Sequence, residues 1–428
     1  MPLLNDARTA IKLARNLYTS RQNRKRVAVR VDEQPPLPAK SVKIAVYFAD
    51  TKVNLYQIRQ WYEPLAELAK THSVAIIARS PGTALALMDE SPVPVVYLRK
   101  IVELEDFVAA QDIRIVFYVN QNAKNFQMFR YGRMWHVFIN HGESDKMYMT
   151  TNQFKAYDFS LIAGEAARDR LRRKLWDFDL DRRTIMIGRP QTDHLAGALP
   201  WTPDERMVVL YSPTWEGDRG AAAYGSVPTH GEALVGSLLS TGRHRVIYRP
   251  HPRTGVIDPA TRTANRNIIA SIAAANAADP QARHLYDDGG QLGWQVAAAD
   301  VAITDVSAMV YDRLATGKPL IVTRPVSPDA DIDEDGYLGQ ADWLYADTAG
   351  DIVTLADRVL VDEEAQSRLR YWVERHFGDT TPGASTRRFH AAVDQLLAEW
   401  DRNAELHAND VDEAEVDPFE SDSDDDED

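Results

Sequence analysis

The chain has 428 residues, 44% of them apolar and 26% charged, enough for two ordinary soluble α/β-sized domains with separate cores. It contains no cysteine, which excludes disulfides, thiolate metal sites and a cysteine nucleophile. The formal charge of −14 is unevenly spread: residues 1–30 carry eight Lys or Arg against Asp6 alone, residues 411–428 carry eleven Asp or Glu and no base, and the acidic body between them excludes a general nucleic-acid binder, which needs a basic face.

In chain order, Leu3, Leu4, Ala7, Ala10, Ile11, Ala14, Leu17 and Tyr18 share one helical face, with basic residues beside it. The pattern suits a helix lying on an anionic membrane surface, and equally a helix packed on the protein's own body. Residues 31–41, with Pro35, Pro36 and Pro38, predict a linker. No apolar run reaches the roughly 18 residues of a membrane span. Charges interrupt the first apolar stretch and no small-residue cleavage site follows it, so the expectation is a cytoplasmic protein without a secretory signal.

From residue 42 the rhythm becomes strands alternating with helices. Strands are predicted at 42–48, 73–77, 94–98, 113–119, 135–139, 159–163 and 184–187, with helices such as 55–69 and 166–175 between them. Such alternation implies a mostly parallel sheet covered on both faces, here a domain over 42–190. Residues 190–203, with Gly197, Pro200 and Trp201, break the rhythm and predict a domain boundary. A second α/β domain, 204–380, follows with strands near 207–211, 245–248, 301–304 and 320–323. Helices are predicted at 352–361, 364–377 and 386–400, the last (within 384–403) crossing back to the first domain. Residues 409–428 have too few apolar side chains and too much like charge to fold.

The stretch VAITDVSAMVYDRLATGKPLIVTRP, 301–325, reads as strand, polar turn, helix and strand, a βαβ unit. Its turn, Asp305 to Ser307, lies where open α/β sheets bind ligands. It suits either an anion cradle or a plain capped helix. His141 follows another strand in Asn140-His141-Gly142; it is placed for a general base near neutral pH, or for a local backbone bond. Arg249-Pro250-His251-Pro252-Arg253 also follows a strand, and its cations could neutralise a pyrophosphate while the prolines fix the backbone. Asp331, Asp333, Asp335 and Gly336 have calcium-loop spacing but lack the closing glutamate, and predict an acidic loop over the cleft.

These blocks, together with Gly188-Arg189-Pro190 and Tyr211-Ser212-Pro213-Thr214-Trp215, resemble in content and order the CDP-glycerol glycerophosphotransferase family, which polymerises teichoic acids. The resemblance implies a glycosyltransferase-B architecture, two Rossmann-like domains facing across a cleft. It implies His141 as catalytic base and His251 as the group that stabilises departing CMP. It further implies substrate contacts at Asn140, Gly142, Ser144, Lys146, Arg189, Pro213, Thr214, Arg249, Ser307, Ala308 and Asp312, with no metal or cofactor required. The chain departs from the family at Glu143 and Ser144, at Gln191, and at Ala308, where a second serine is usual. The partners implied are a CDP-alditol donor and a lipid-linked or polymer hydroxyl acceptor, with work at the inner membrane face favouring the membrane for residues 1–30. Two alternatives stay open: a nucleotide-sugar glycosyltransferase of the same architecture, and a non-enzymatic membrane adaptor with charged ends.

Overall fold

The computed structural model describes residues 2–142, 151–195, 197–289 and 293–408, with side chains from residue 18 onward. The first sheet contains β1 (Ile44–Phe48), β2 (Val74–Ala78), β3 (Val95–Tyr97), β4 (Ile115–Tyr118), β5 (Trp135–Phe138), β6 (Phe159–Ile162) and β7 (Thr184–Met186). The second contains β8 (Met207–Ser212), β9 (His244–Tyr248), β10 (Leu285–Tyr286), β11 (Val301–Thr304), β12 (Leu320–Thr323) and β13 (Asp342–Leu344). All pairings are parallel, in the orders β3-β2-β1-β4-β5-β6-β7 and β10-β9-β8-β11-β12-β13. Each is a doubly wound Rossmann order, which reverses direction at its first strand and opens a crevice there.

Apolar continuity drives this arrangement. The strands IAVYF and VAIIA are buried at every position, as parallel strands covered on both faces must be. Alternate residues of β1 go to opposite cores: Ile44, Val46 and Phe48 to one, Ala45 and Tyr47 to the other. In the second sheet, Leu210 and Ala302 pack towards the helices Ala308–Leu314 and Glu363–Phe377, while Tyr211 and Ile303 pack towards Glu232–Ser240 and Pro259–Ala278. The last helix, Ala384–Leu406, places Phe389, Val393 and Leu396 in the first sheet's core. The indole N–H groups of Trp135 and Trp400 fasten it by donating to Leu396 O at 3.1 Å and Arg133 O at 3.0 Å.

Several elements differ from expectation. The first helix runs over Pro2–Glu33, through part of the predicted linker, because no helix breaker precedes Pro35. Its later turns pack on the body through buried Val27 and an Arg30–Asp89 pair at 2.8 Å. The side chains of the predicted amphipathic face before Tyr18 lie outside the described ones. The helix predicted over 55–69 is two, Leu55–Arg59 and Tyr62–Leu68. Pro64 has no N–H to bond the Gln60 carbonyl, so the chain breaks at Gln60 and Trp61. β10, β13 and the helix Pro259–Ala278 were not anticipated; two- and three-residue strands are too short to carry a period. The acidic loop faces basic side chains of the helix Glu165–Lys174, with Asp335 lying 3.8 Å from Arg173. No described helix is long and apolar enough to cross a membrane.

Candidate active site

Between the two sheets lies a cleft of about 720 Å³, and the carboxyl ends of both sheets face it. From the first domain it is lined by Tyr56, Gln60, His141, Gly142 and Arg189. The chain leaves β5 through Asn140, whose φ of 56° is a left-handed conformation that asparagine tolerates better than most residues. The Asn140 side chain closes the turn, accepting from the His141 N–H at 2.8 Å and donating to Gly142 O at 2.5 Å. The Trp61 indole donates to Asn140 O at 2.5 Å, so a core residue holds the same turn.

His141 Nδ1 lies 2.8 Å from Val119 O. A carbonyl can only accept, so Nδ1 carries the ring proton and Nε2 keeps its lone pair. Burial pushes the imidazole pKa below its ordinary 6.5; the Val119 bond opposes this and the Arg189 charge adds to it. The ring is therefore held neutral near pH 7 with Nε2 as a base. Tyr56 packs edge-on against it, with ring centroids 6.0 Å apart.

The opposite wall comes from the switch point of the second sheet. The β8–β11 register pairs Ser212 with Thr304, so Pro213-Thr214 and Asp305-Val306-Ser307 leave the sheet side by side. Asp305 is fully buried and gathers three donors: Thr214 N–H at 2.8 Å, Ser226 N–H at 3.1 Å and the Thr323 hydroxyl at 2.6 Å. Burial raises its pKa to about 6, with those bonds pulling it back down. Asp305 thus ties the Thr214 loop to the rest of the sheet and leaves the cap to Ser307, whose hydroxyl accepts from Met309 N–H at 3.3 Å. The Ser307 cap is thus present at this turn, and Ser307 and Ala308 also line the cleft.

After β9, Arg249 reaches Asp287 Oδ2 at 2.5 Å and Gly289 O at 2.8 Å. His251 Nδ1 accepts from Arg253 N–H at 3.1 Å, which puts the proton of a neutral ring on Nε2. The Arg253 guanidinium lies 3.7 Å above the Trp215 ring and does not line the cleft. Of the expected pyrophosphate cations, Arg249 and His251 therefore face the cleft and Arg253 is a stacking partner.

Arg189, from the first domain, forms an ion pair with Asp312 of the second, and its Nη2 also approaches Gln60 Oε1 at 3.4 Å. Burial pushes the Asp312 carboxyl up and Arg189 pulls it back. Asp312, implied above as a substrate contact, lines the cleft and pairs there with the Arg189 guanidinium. The preceding Gly188 has φ +70, and a Cβ there would meet Ser385 and Arg388 of the last helix, so the Arg189 loop needs glycine to seat that helix.

The cleft thus gathers His141, Gly142, Arg189, Pro213, Thr214, Arg249, His251, Ser307, Ala308 and Asp312. Asn140 stands behind it as a turn-former. Ser144 and Lys146, together with Glu143, lie outside the described residues. Sequence reasoning missed Tyr56, Gln60 and Asp287 as lining residues: the first two sit on a helix read only as apolar-periodic, and Asp287 follows the two-residue β10.

The family model for CDP-glycerol:poly(glycerophosphate) glycerophosphotransferase matches residues 139–393, more than half of the chain, beginning at the His141 turn. The chain belongs to that family. This glycerophosphotransferase matches no curated protein sequence. Among solved structures, a variant of the wall teichoic acid polymerase TagF soaked with CDPG is similar with a TM-score of 0.53 and 13% identity, over 94% of this chain and 99% of that one. A putative UDP-N-acetylglucosamine 2-epimerase from Listeria monocytogenes gives 0.57 and 13%, over 84% and 97%. The UDP-GlcNAc 2-epimerase from Neisseria meningitidis bound to UDP-GlcNAc gives 0.56 and 13%, over 84% and 100%. At these identities the likeness is one of fold. Family membership makes the glycerophosphotransferase an enzyme, a transferase of glycerol phosphate from CDP-glycerol.

Proposed function

We propose that the chain moves glycerol phosphate from CDP-glycerol to a hydroxyl of a wall-polymer acceptor, with His141 as base and the second domain as donor holder. The observation that carries this is the fixed tautomer of His141, a neutral imidazole with Nε2 unprotonated, in a cleft whose other wall carries Arg249 and His251. The acceptor oxygen attacks the donor's β-phosphorus in line. A new P–O bond forms as the bond to the bridging oxygen breaks, the acceptor proton goes to His141 Nε2, and CMP leaves with the electron pair. Arg249 and the Nε2–H of His251 neutralise the charge on the departing phosphate, and the Thr214 loop, Ser307 and Ala308 border the donor. Transfer of this kind is mostly positioning and charge neutralisation, which a base and two cationic or donor groups supply. The basic helix at residues 1–30 would hold the enzyme peripherally on an anionic membrane, at the cytoplasmic face where a lipid-linked acceptor is met.

A thermal-shift panel of CDP, CDP-glycerol, CDP-ribitol and UDP-N-acetylglucosamine on the purified protein tests the donor, since a ligand of the folded state raises its melting temperature. Stabilisation by the cytidine compounds is expected; stabilisation by the UDP-sugar alone would replace this reading with a glycosyltransferase. His141→Ala is expected to abolish CMP release while keeping the shift with CDP, and loss of that shift would contradict the assigned role.

A further inference from the structure

Between β9 and the helix Pro259–Ala278 the chain passes through residues 249–258 with neither helix nor strand, so its backbone N–H groups need partners from elsewhere. From His251 to Asp258 each of them has one. The His251 N–H donates to Pro213 O at 3.2 Å, and the Arg253 N–H to His251 Nδ1 at 3.1 Å. The Thr254 N–H donates to His251 O at 2.8 Å, and the Val256 N–H to Arg253 O at 3.1 Å. The other three converge on one side chain. Glu216 Oε2 accepts from Gly255 N–H at 2.9 Å, while Oε1 accepts from Ile257 N–H at 2.9 Å and Asp258 N–H at 3.1 Å.

Glu216 stands two residues beyond Thr214, on the loop that leaves β8 along the donor wall. Gly217 follows with φ +81, and a Cβ there would meet Ala222 O, so the tight turn directly after Glu216 needs glycine. Trp215 holds the same loop from the other side of Glu216. Its ring centroid lies 6.5 Å from that of His251 and 3.7 Å from the Arg253 guanidinium. The side chains of Val256 and Ile257 are exposed, so apolar burial contributes little at the loop tip and the carboxylate does the fastening. Burial pushes the Glu216 pKa up, but its bonds to backbone N–H groups outweigh that and leave it below the ordinary 4.5. The group is therefore an anion throughout the neutral range, and hydrogen bonds to an ionised acceptor are the stronger kind.

We infer that Glu216 is a positioning residue for the departure of CMP: it fixes the loop whose Arg253 N–H holds His251 Nδ1, and so sets where the ring presents its Nε2–H. This rests on the assignment of His251 to the departing phosphate and adds the group that aims it. Glu216 itself does not line the cleft. A misplacement of about 1 Å at a developing charge costs on the order of a hundredfold in rate. Binding of the donor before reaction depends on Arg249 and the Thr214 loop, which have their own tethers at Asp287 and Asp305. Loss of Glu216 therefore falls on turnover, not on donor binding.

The test reads CMP release by the full-length protein from CDP-glycerol, with a synthetic glycerol phosphate hexamer as acceptor, across Glu216→Ala, His251→Ala and the double variant. Glu216→Ala should lower kcat by about 10- to 100-fold and move the CDP-glycerol KM by less than about twofold. Glu216→Gln, which keeps one acceptor oxygen, should recover part of that loss. In the His251→Ala background, Glu216→Ala should cost less than about twofold more, because no ring is left to aim. Full activity of Glu216→Ala overturns the proposal. An equal loss with and without His251 does the same, since it marks a carboxylate that only supports the fold, as does a loss seen in the donor KM with kcat unchanged. Those failures leave the donor reading standing. A His251→Ala variant as active as wild type, or a protein that CDP-glycerol does not stabilise, sinks that reading and this proposal with it, so the two failures are distinguishable.

Discussion

Two residues set the chemistry of this cleft through what holds them. For His141 the Val119 carbonyl selects the tautomer, and burial lowers the pKa from 6.5. The base is lost when the ring is protonated, so kcat/KM should stay level from pH 8 to about 6.5 and fall about tenfold per unit only below the lowered pKa. A pH–rate profile of the wild type checks this; an acid limb centred above 6.5 would contradict the burial argument. Asp305 does no chemistry in this scheme, yet three donors converge on it from separate segments. Asp305→Ala leaves those donors unsatisfied in a dry site, at a cost of about 3–5 kcal/mol. The expected readouts are a lower denaturation midpoint and weaker CDP binding, because the Thr214 loop loses its tether.

Among the elements, the last helix carries the end of the chain back into the first sheet's core. Phe389 is fully buried with its ring 5.4 Å from Trp61 and 5.9 Å from Phe117. Trp61 in turn donates to the Asn140 carbonyl, so the helix lies two contacts from the base. Phe389→Ala should destabilise the first domain by about 3–5 kcal/mol, the usual cost of emptying a large aromatic site. It should also lower kcat through a loosened His141 turn. Unfolding followed by near-ultraviolet circular dichroism, alongside CMP release, checks both.

At the scale of the molecule, the two domains meet at the cleft through the Arg189–Asp312 pair, in which Arg189 is buried and Asp312 half-buried. Removing one partner strands the other charge, whereas removing both strands neither. Arg189→Met and Asp312→Asn should each lower the melting temperature, and the double variant should melt above the worse single by the equivalent of about 1–3 kcal/mol. The charge asymmetry of the chain belongs to the same scale. Binding to phosphatidylglycerol vesicles is expected and should weaken as salt rises, with Arg21→Glu/Lys25→Glu reducing it by at least about tenfold at roughly 1 kcal/mol per basic group. Co-sedimentation against neutral phosphatidylcholine vesicles measures it, and equal binding to both lipids would count against the electrostatic contact.

Much of this was legible in the linear chain because it is local. Runs such as VAIIA and VAIT can satisfy their apolar side chains only in strands buried on both faces, and the glycine, proline and polar turns after them mark the sheet ends where a parallel fold puts ligands. Hence the α/β class and the motifs carrying His141, Thr214, Arg249, His251 and Ser307 follow from sequence pattern and family resemblance together. Pairings between distant segments were not legible. No spacing rule tells that Arg189 meets Asp312, that Gly188 must admit Ser385, that Asp305 collects donors from Thr214, Ser226 and Thr323, or that Val119 fixes the His141 tautomer. Local propensity and apolar periodicity act within a few residues of the chain, whereas a hydrogen bond or ion pair is decided by which surfaces the packed sheets bring within about 3 Å of each other.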